Sequence, residues 1–130
     1  MPKRKEQFVG GFVAVTFEMM DHKSFRILSE AAIRVFLHCL RKAYGPDRYR
    51  QIFKFTYPEA QNRLAISAST FRRAMQQLHS MGFIDYYSPG GRRGSDNPDP
   101  KGYQLSLRWK KFGTSDFEKR HEGYYESLHG

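Results

Sequence analysis

The sequence predicts an α+β domain in which a three-helix core is followed by a β-hairpin. Three observations lead there. Apolar residues recur at helical spacing from Glu30 to about Tyr44, two short capped segments joined by a tight turn occupy Thr56 to Met81, and two strand-like runs follow on either side of a turn-rich stretch. At 130 residues the chain has room for one domain with a single core.

In chain order, residues 1–11 carry Lys3, Arg4 and Lys5 without packing residues, as a flexible basic arm would. Phe12 to Phe17 is β-branched and aromatic and predicts an extra N-terminal strand. Met19 to Leu28 is mixed and predicts no more than a short helical turn. Ser29 is a good N-cap for the scaffold helix, which Gly45-Pro46 terminates. Its main stripe is Ile33, Phe36, Leu37, Leu40 and Tyr44, widened by Ala32, Val35 and Cys39, so the helix should be central and Cys39 a core residue. Asp47 to Gln51 reads as a polar loop and Ile52 to Phe55 as a short strand.

Thr56 can cap the next helix, with Pro58 in its first turn and Glu59 at the capping-box position. After Ala65, Ile66 and Ser67, a second helix runs from Ala68 to Met81 and stops at Gly82. Phe71, Ala74, Met75 and Leu78 form its buried stripe. Ser69, Arg72, Arg73, Gln76 and Ser80 lie on the other side. This is a helix-turn-helix pattern, and from Ala60 to Phe83 it contains no acid. Arg and Gln have the fork and amide geometry that matches guanine and adenine edges in a major groove.

Phe83 to Ser88 predicts a strand, Pro89-Gly90-Gly91 a break, Arg92 to Lys101 a loop, and Gly102 to Leu107 a returning strand in which Tyr103, Leu105 and Leu107 alternate with Gln104, Ser106 and Arg108. Trp109, Phe112 and Phe117 should fold a C-terminal extension back onto the domain. The domain so delimited is 12–114, with 115–130 as a C-terminal tail.

Lysines and arginines number 22 against 13 acids, a formal net charge of +9 that favours polyanionic partners, nucleic acid before anionic membrane. No apolar run approaches the roughly 20 residues of a transmembrane helix, and no secretory leader is legible, so the expectation is a cytoplasmic protein with no membrane role. His22, His38, His79, His121 and His129 are scattered and the single cysteine cannot complete a zinc site. Without a phosphate loop or paired acids on a common face, no catalytic residues, metal or cofactor are expected, and an enzyme is not the reading.

The order of parts resembles the winged helix-turn-helix superfamily over roughly Leu28 to Leu107. The likeness is carried by Leu28-Ser29 at the scaffold helix, Ile66-Ser67 entering the recognition helix, and Leu78 with Met81-Gly82-Phe83-Ile84 at its exit. Ser24-Phe25-Arg26-Ile27-Leu28-Ser29, the Gly90-Gly91 turn and Arg108-Trp109 with Phe112-Gly113-Thr114-Ser115-Asp116-Phe117 are similar to small winged-helix proteins of bacteria, their phages and integrated elements. That resemblance implies binding of double-stranded DNA, in transcription regulation or DNA replication. The wing here carries Asp96 and Asp99 and so departs from a plainly basic one.

The expected base-reading residues are Ser69, Arg72, Arg73 and Gln76; the expected backbone contacts are Thr56, Arg63, Ser67, Thr70, Gln77, Arg92, Arg93 and Lys101. A homodimer, or a replication or transcription protein as partner, is compatible with the same pattern. The rival from another class is a winged-helix module that docks a protein, such as a replisome component, without reading DNA; a structured-RNA binder is a weaker one.

Overall fold

A computed structural model describes residues 10–88, 92–95 and 102–117, with side chains through residue 87 and from 102. The described chain is α+β, with five α-helices and an antiparallel sheet. Helices α1 (Phe17–Asp21) and α2 (Lys23–Arg26) precede α3 (Glu30–Lys42), α4 (Tyr57–Leu64) and α5 (Ala68–Ser80). Strands β1 (Ile84–Ser88), β2 (Arg92–Ser95) and β3 (Gly102–Leu105) follow, then a short 3-10 helix, Arg108–Lys111.

Each of the three longer helices starts where a side-chain oxygen accepts an otherwise orphaned backbone N–H: Ser29 from Ala32, Thr56 from Glu59, and Ser67 from Thr70. Glu59 stands at the capping-box position, with a hydrogen bond back to the Thr56 backbone. Its carboxylate also accepts from Lys42 of α3, clasping α4 to the scaffold helix. Between α4 and α5, Ala65 turns the chain at φ 54° and ψ 45°, a left-handed conformation usually left to glycine.

The core joins Val35, Phe36, Cys39 and Leu40 of α3 to Phe71, Ala74, Met75 and Leu78 of α5, with Phe53, Phe55, Phe83, Trp109 and Phe112 around them. The α5 stripe falls where the spacing places it. The α3 stripe is rotated: Ala32, Val35 and Cys39 lie at its centre, Leu37 is 39% exposed and Tyr44, 65% exposed, lies beyond the last helical residue. Ser80, expected on the outward side of α5, is fully buried, because the last turn of α5 is enclosed along with His79, Met81 and Gly82.

The expected N-terminal strand is absent from Phe12 to Phe17. Thr16 caps α1 by accepting the Met19 N–H, and Phe12 and Phe17 are 59% and 83% exposed. β-propensity without a neighbouring strand does not make a ladder. Met19 to Leu28, expected to hold one short turn at most, contains the end of α1 and all of α2. Ile52–Phe55 is reduced to an isolated bridge between Phe53 and Tyr103.

β1 is the central strand of the sheet, in the order β2-β1-β3. It pairs with β3 in the register Ile84 with Leu105 through Tyr87 with Gly102, as the two strand-like runs suggest. The stretch expected to be wholly loop supplies β2, where Arg93 pairs with Tyr87 and Arg92 with Ser88, beyond an irregularity between Tyr86 and Tyr87. A polar strand is readily accommodated at a sheet edge. On β3 the alternation does not separate core from solvent: Gln104 and Ser106 are buried, and Leu107 is 44% exposed. Gln104 reaches the Arg50 carbonyl and Ser106 accepts the Arg108 N–H, so both polar groups are satisfied inside.

Two substitutions at left-handed positions should act in opposite directions. Gly82 has φ 90°, and a Cβ there would lie 2.5 Å from the Trp109 nitrogen and 2.7 Å from the Arg108 carbonyl carbon. Gly82→Ala is expected to lower stability by at least about 2 kcal/mol, whereas Ala65→Gly relieves strain and should raise it by about 0.5–1 kcal/mol. Chemical denaturation of both variants measures this.

Candidate nucleic-acid interface

Burying Phe71, Ala74, Met75 and Leu78 turns the opposite side of α5 outward. Ser69, Arg72 and Arg73 are exposed and Gln76 half-buried, so the four residues expected to read bases share one accessible face. Their spacing of three and four residues is one helical line. At its N-terminus the Ser67 hydroxyl lies 3.2 Å from that of Ser69 and 2.9 Å from that of Thr70, while also accepting the Thr70 N–H. Ser67 thus caps α5 and sits in a hydroxyl cluster at its entry.

Thr56 and Arg63 are exposed at the start and in the last turn of α4. Arg92 and Arg93 are both on β2, opposite the end of β1. Lys101 lies outside the described residues.

Gln77 does not belong to this interface. It is 4% exposed; its amide oxygen accepts the Ser29 N–H at 2.9 Å and its amide nitrogen donates to the Ile27 carbonyl at 3.3 Å. The expected backbone contact is therefore a structural tie between α5 and the entrance of α3. Its position carried the signal: Gln77 is three residues from Ala74 and four from Met81, both buried.

Residues not singled out by sequence complete the electrostatics. Arg34 donates to the Leu64 carbonyl at 3.0 Å, satisfying the C-terminus of α4. Lys42 is engaged by Glu59 and stands 5.3 Å from the centre of the Phe55 ring. Burial, followed by the charges of Arg41, Arg63, Arg34 and Lys42, pushes the His38 imidazole below its ordinary pKa. The Lys42 hydrogen bond holds the Glu59 carboxyl below the usual carboxylate range.

Among the described residues no group of three His, Cys, Asp or Glu is placed to hold a metal ion, and no helix is long and apolar enough to cross a membrane. Comparison of the chain with protein-family models, curated proteins and solved structures finds no match.

Two measurements check this arrangement. Gln77→Ala strips the Ser29 N–H and Ile27 carbonyl of their partner and should cost about 1–3 kcal/mol in urea denaturation. For His38, a depressed folded pKa means that the unfolded chain binds more protons between the folded and unfolded values, so stability rises with pH there. The parent should therefore lose stability as pH falls below about 6.5, and His38→Gln should flatten that part of the pH–stability curve.

Proposed function

We propose that this chain is a winged helix-turn-helix protein that binds double-stranded DNA, as a transcription regulator or a replication-associated factor of a bacterial mobile element. One observation carries the reading: Ser69, Arg72, Arg73 and Gln76 share the outward side of α5, a helix with no acid, in a chain of net charge +9. Arg73 and Gln76 stand one turn apart on that side, as a helix in the major groove requires for contact with base edges. Thr56, Arg63, Ser67, Thr70, Arg92, Arg93 and Lys101 supply the phosphate contacts in this reading, which is set in the cytoplasm and needs neither cofactor nor catalysis. Strands β1 and β3, with the stretch between them that carries Arg92, Arg93 and Lys101, would be the wing.

A second reading has an observation of its own. Phe12 and Tyr44, 59% and 65% exposed, meet beside Val13 on one surface, an apolar patch that favours docking of a protein partner or a second copy of the chain. Titration with random duplex DNA at low salt separates the two, because only the first gives binding. If about four to six phosphates are neutralised, log affinity falls with log salt at a slope of roughly −4 to −5.

Reading and holding should also separate by mutation. Arg73→Ala is expected to cost about 1–3 kcal/mol on a preferred site selected from a random pool, and much less on random duplex. Arg92→Ala with Arg93→Ala should weaken both duplexes alike and make the salt slope shallower by about two. Affinities on the two duplexes test this; a changed ratio for the β2 pair and none for Arg73 would reverse the roles.

A further inference from the structure

The groove between α3 and α4 holds a second basic cluster, assembled from residues outside α5, of which Arg63 is shared with the phosphate contacts proposed above. Arg34, His38, Arg41 and Lys42 follow one another along α3 at helical spacing, and Glu59 and Arg63, four residues apart on α4, face them. His38, Arg41, Lys42, Phe55, Glu59 and Arg63 line a cleft of about 150 Å³. At about 30 Å³ per water, it has room for roughly five waters, comparable with the five heavy atoms of a phosphate group. Phe55, 3% exposed, gives it an apolar wall.

The charges do not balance. Three permanent cations, Arg41, Lys42 and Arg63, meet one carboxylate, Glu59, which is already bound to Lys42. Among the described residues Arg41 has no carboxylate within ion-pair distance, and Arg63 feels only the field of Glu59, whose carboxylate is bound to Lys42. Two guanidiniums on opposite walls of a small cleft present forked donors suited to a tetrahedral oxyanion. We propose that this cleft binds a phosphate group, gripped by Arg41 from α3 and Arg63 from α4, with Lys42 shared between the phosphate and Glu59.

His38 reports on the site. Burial first, and then the positive field of Arg41, Arg34 and Lys42 on its own helix and Arg63 from α4, oppose its protonation, with Glu59 the one acid lining the same cleft. A bound phosphate supplies the opposing charge, so His38 should protonate more readily when the cleft is filled. Glu59 works against the ligand: its carboxylate repels the anion and competes for Lys42.

The test follows the His38 ring resonances by NMR while inorganic phosphate replaces chloride at constant ionic strength. A saturable shift with an upward move of the His38 pKa is expected in the parent. Arg41→Gln with Arg63→Gln should weaken binding by about tenfold or more, and Glu59→Gln should tighten it by about threefold. Both arginines are exposed, and a thermal melt of each variant verifies folding. The same titration with a short random duplex identifies the source of the phosphate: if the duplex reproduces the shift and the Arg41/Arg63 pair weakens it, the group belongs to a nucleic-acid backbone; if only inorganic phosphate acts, the cleft takes a free phosphate or a small phosphorylated molecule. Either result sustains the site. No saturation in phosphate beyond the chloride control, or parental affinity in the Arg41/Arg63 variant, overturns it. With inorganic phosphate as the probe, the outcome does not depend on whether α5 reads DNA.

Discussion

The buried pair of Arg108 and Asp85 sets how α5 is held on the sheet. The Arg108 guanidinium donates to the Asp85 carboxylate at 2.8 Å and also to the carbonyls of His79 at 2.8 Å and Ile84 at 3.0 Å. One side chain thus joins the last turn of α5, the start of β1 and the 3-10 helix. Both members are largely out of water, at 13% and 6% side-chain exposure. Removing either would strand a buried charge, a loss of about 3–5 kcal/mol in comparable pairs. The contact also explains the backbone around it. Gly82 must be glycine because the chain of Arg108 and Trp109 passes against it, and its carbonyl accepts the Trp109 N–H at 3.1 Å. Trp109 then stacks on Phe83 with ring centres 5.8 Å apart, which carries the clamp into the core.

What the sequence revealed and what it concealed divide along the range of the interactions. Ser29, Thr56 and Ser67 were legible as caps because a cap is settled within three residues of its own chain. The buried stripe of α5 was legible for a similar reason, since helical periodicity is local. Phe12–Phe17 failed as a strand because a strand needs a partner, and local composition does not name one. Arg92–Ser95 departs from the expected loop in the converse way: a polar segment is a strand because it pairs along β1. Ser80 lies four residues beyond Gln76, on the line that begins outward, yet the closing turn of α5 is covered and Ser80 is buried with it. Periodicity assigns a face; it does not say where along the helix that face is covered.

The candidate interface shows the same division. Ser69, Arg72, Arg73 and Gln76 were legible as one side of a helix, but Gln77 was not distinguishable from Gln76 by chemistry. Adjacent residues on a helix point about 100° apart, which is enough to separate an amide open to solvent from one that closes the entrance of α3. The positive cluster of α3 and α4 was harder to see, because Arg34, His38 and Arg41 are separated from Arg63 by more than twenty residues and meet only through helix packing. The clasp between Lys42 and Glu59 brings them together.

The placement of the acids completes the electrostatic argument. Glu59 is held by Lys42 and Asp85 by Arg108, so both of these carboxylates are committed to structural cations. Neither stands on α5. The helix therefore presents its arginines without an acid on its own surface to compensate them, while the acids brace the elements on either side of it. At the entry to α5 the hydroxyls of Ser67, Ser69 and Thr70 add donors beside the positive end of the helix dipole. These two acids are committed to contacts on other elements, and the outward side of α5 carries Arg72 and Arg73 with no acid on the helix itself.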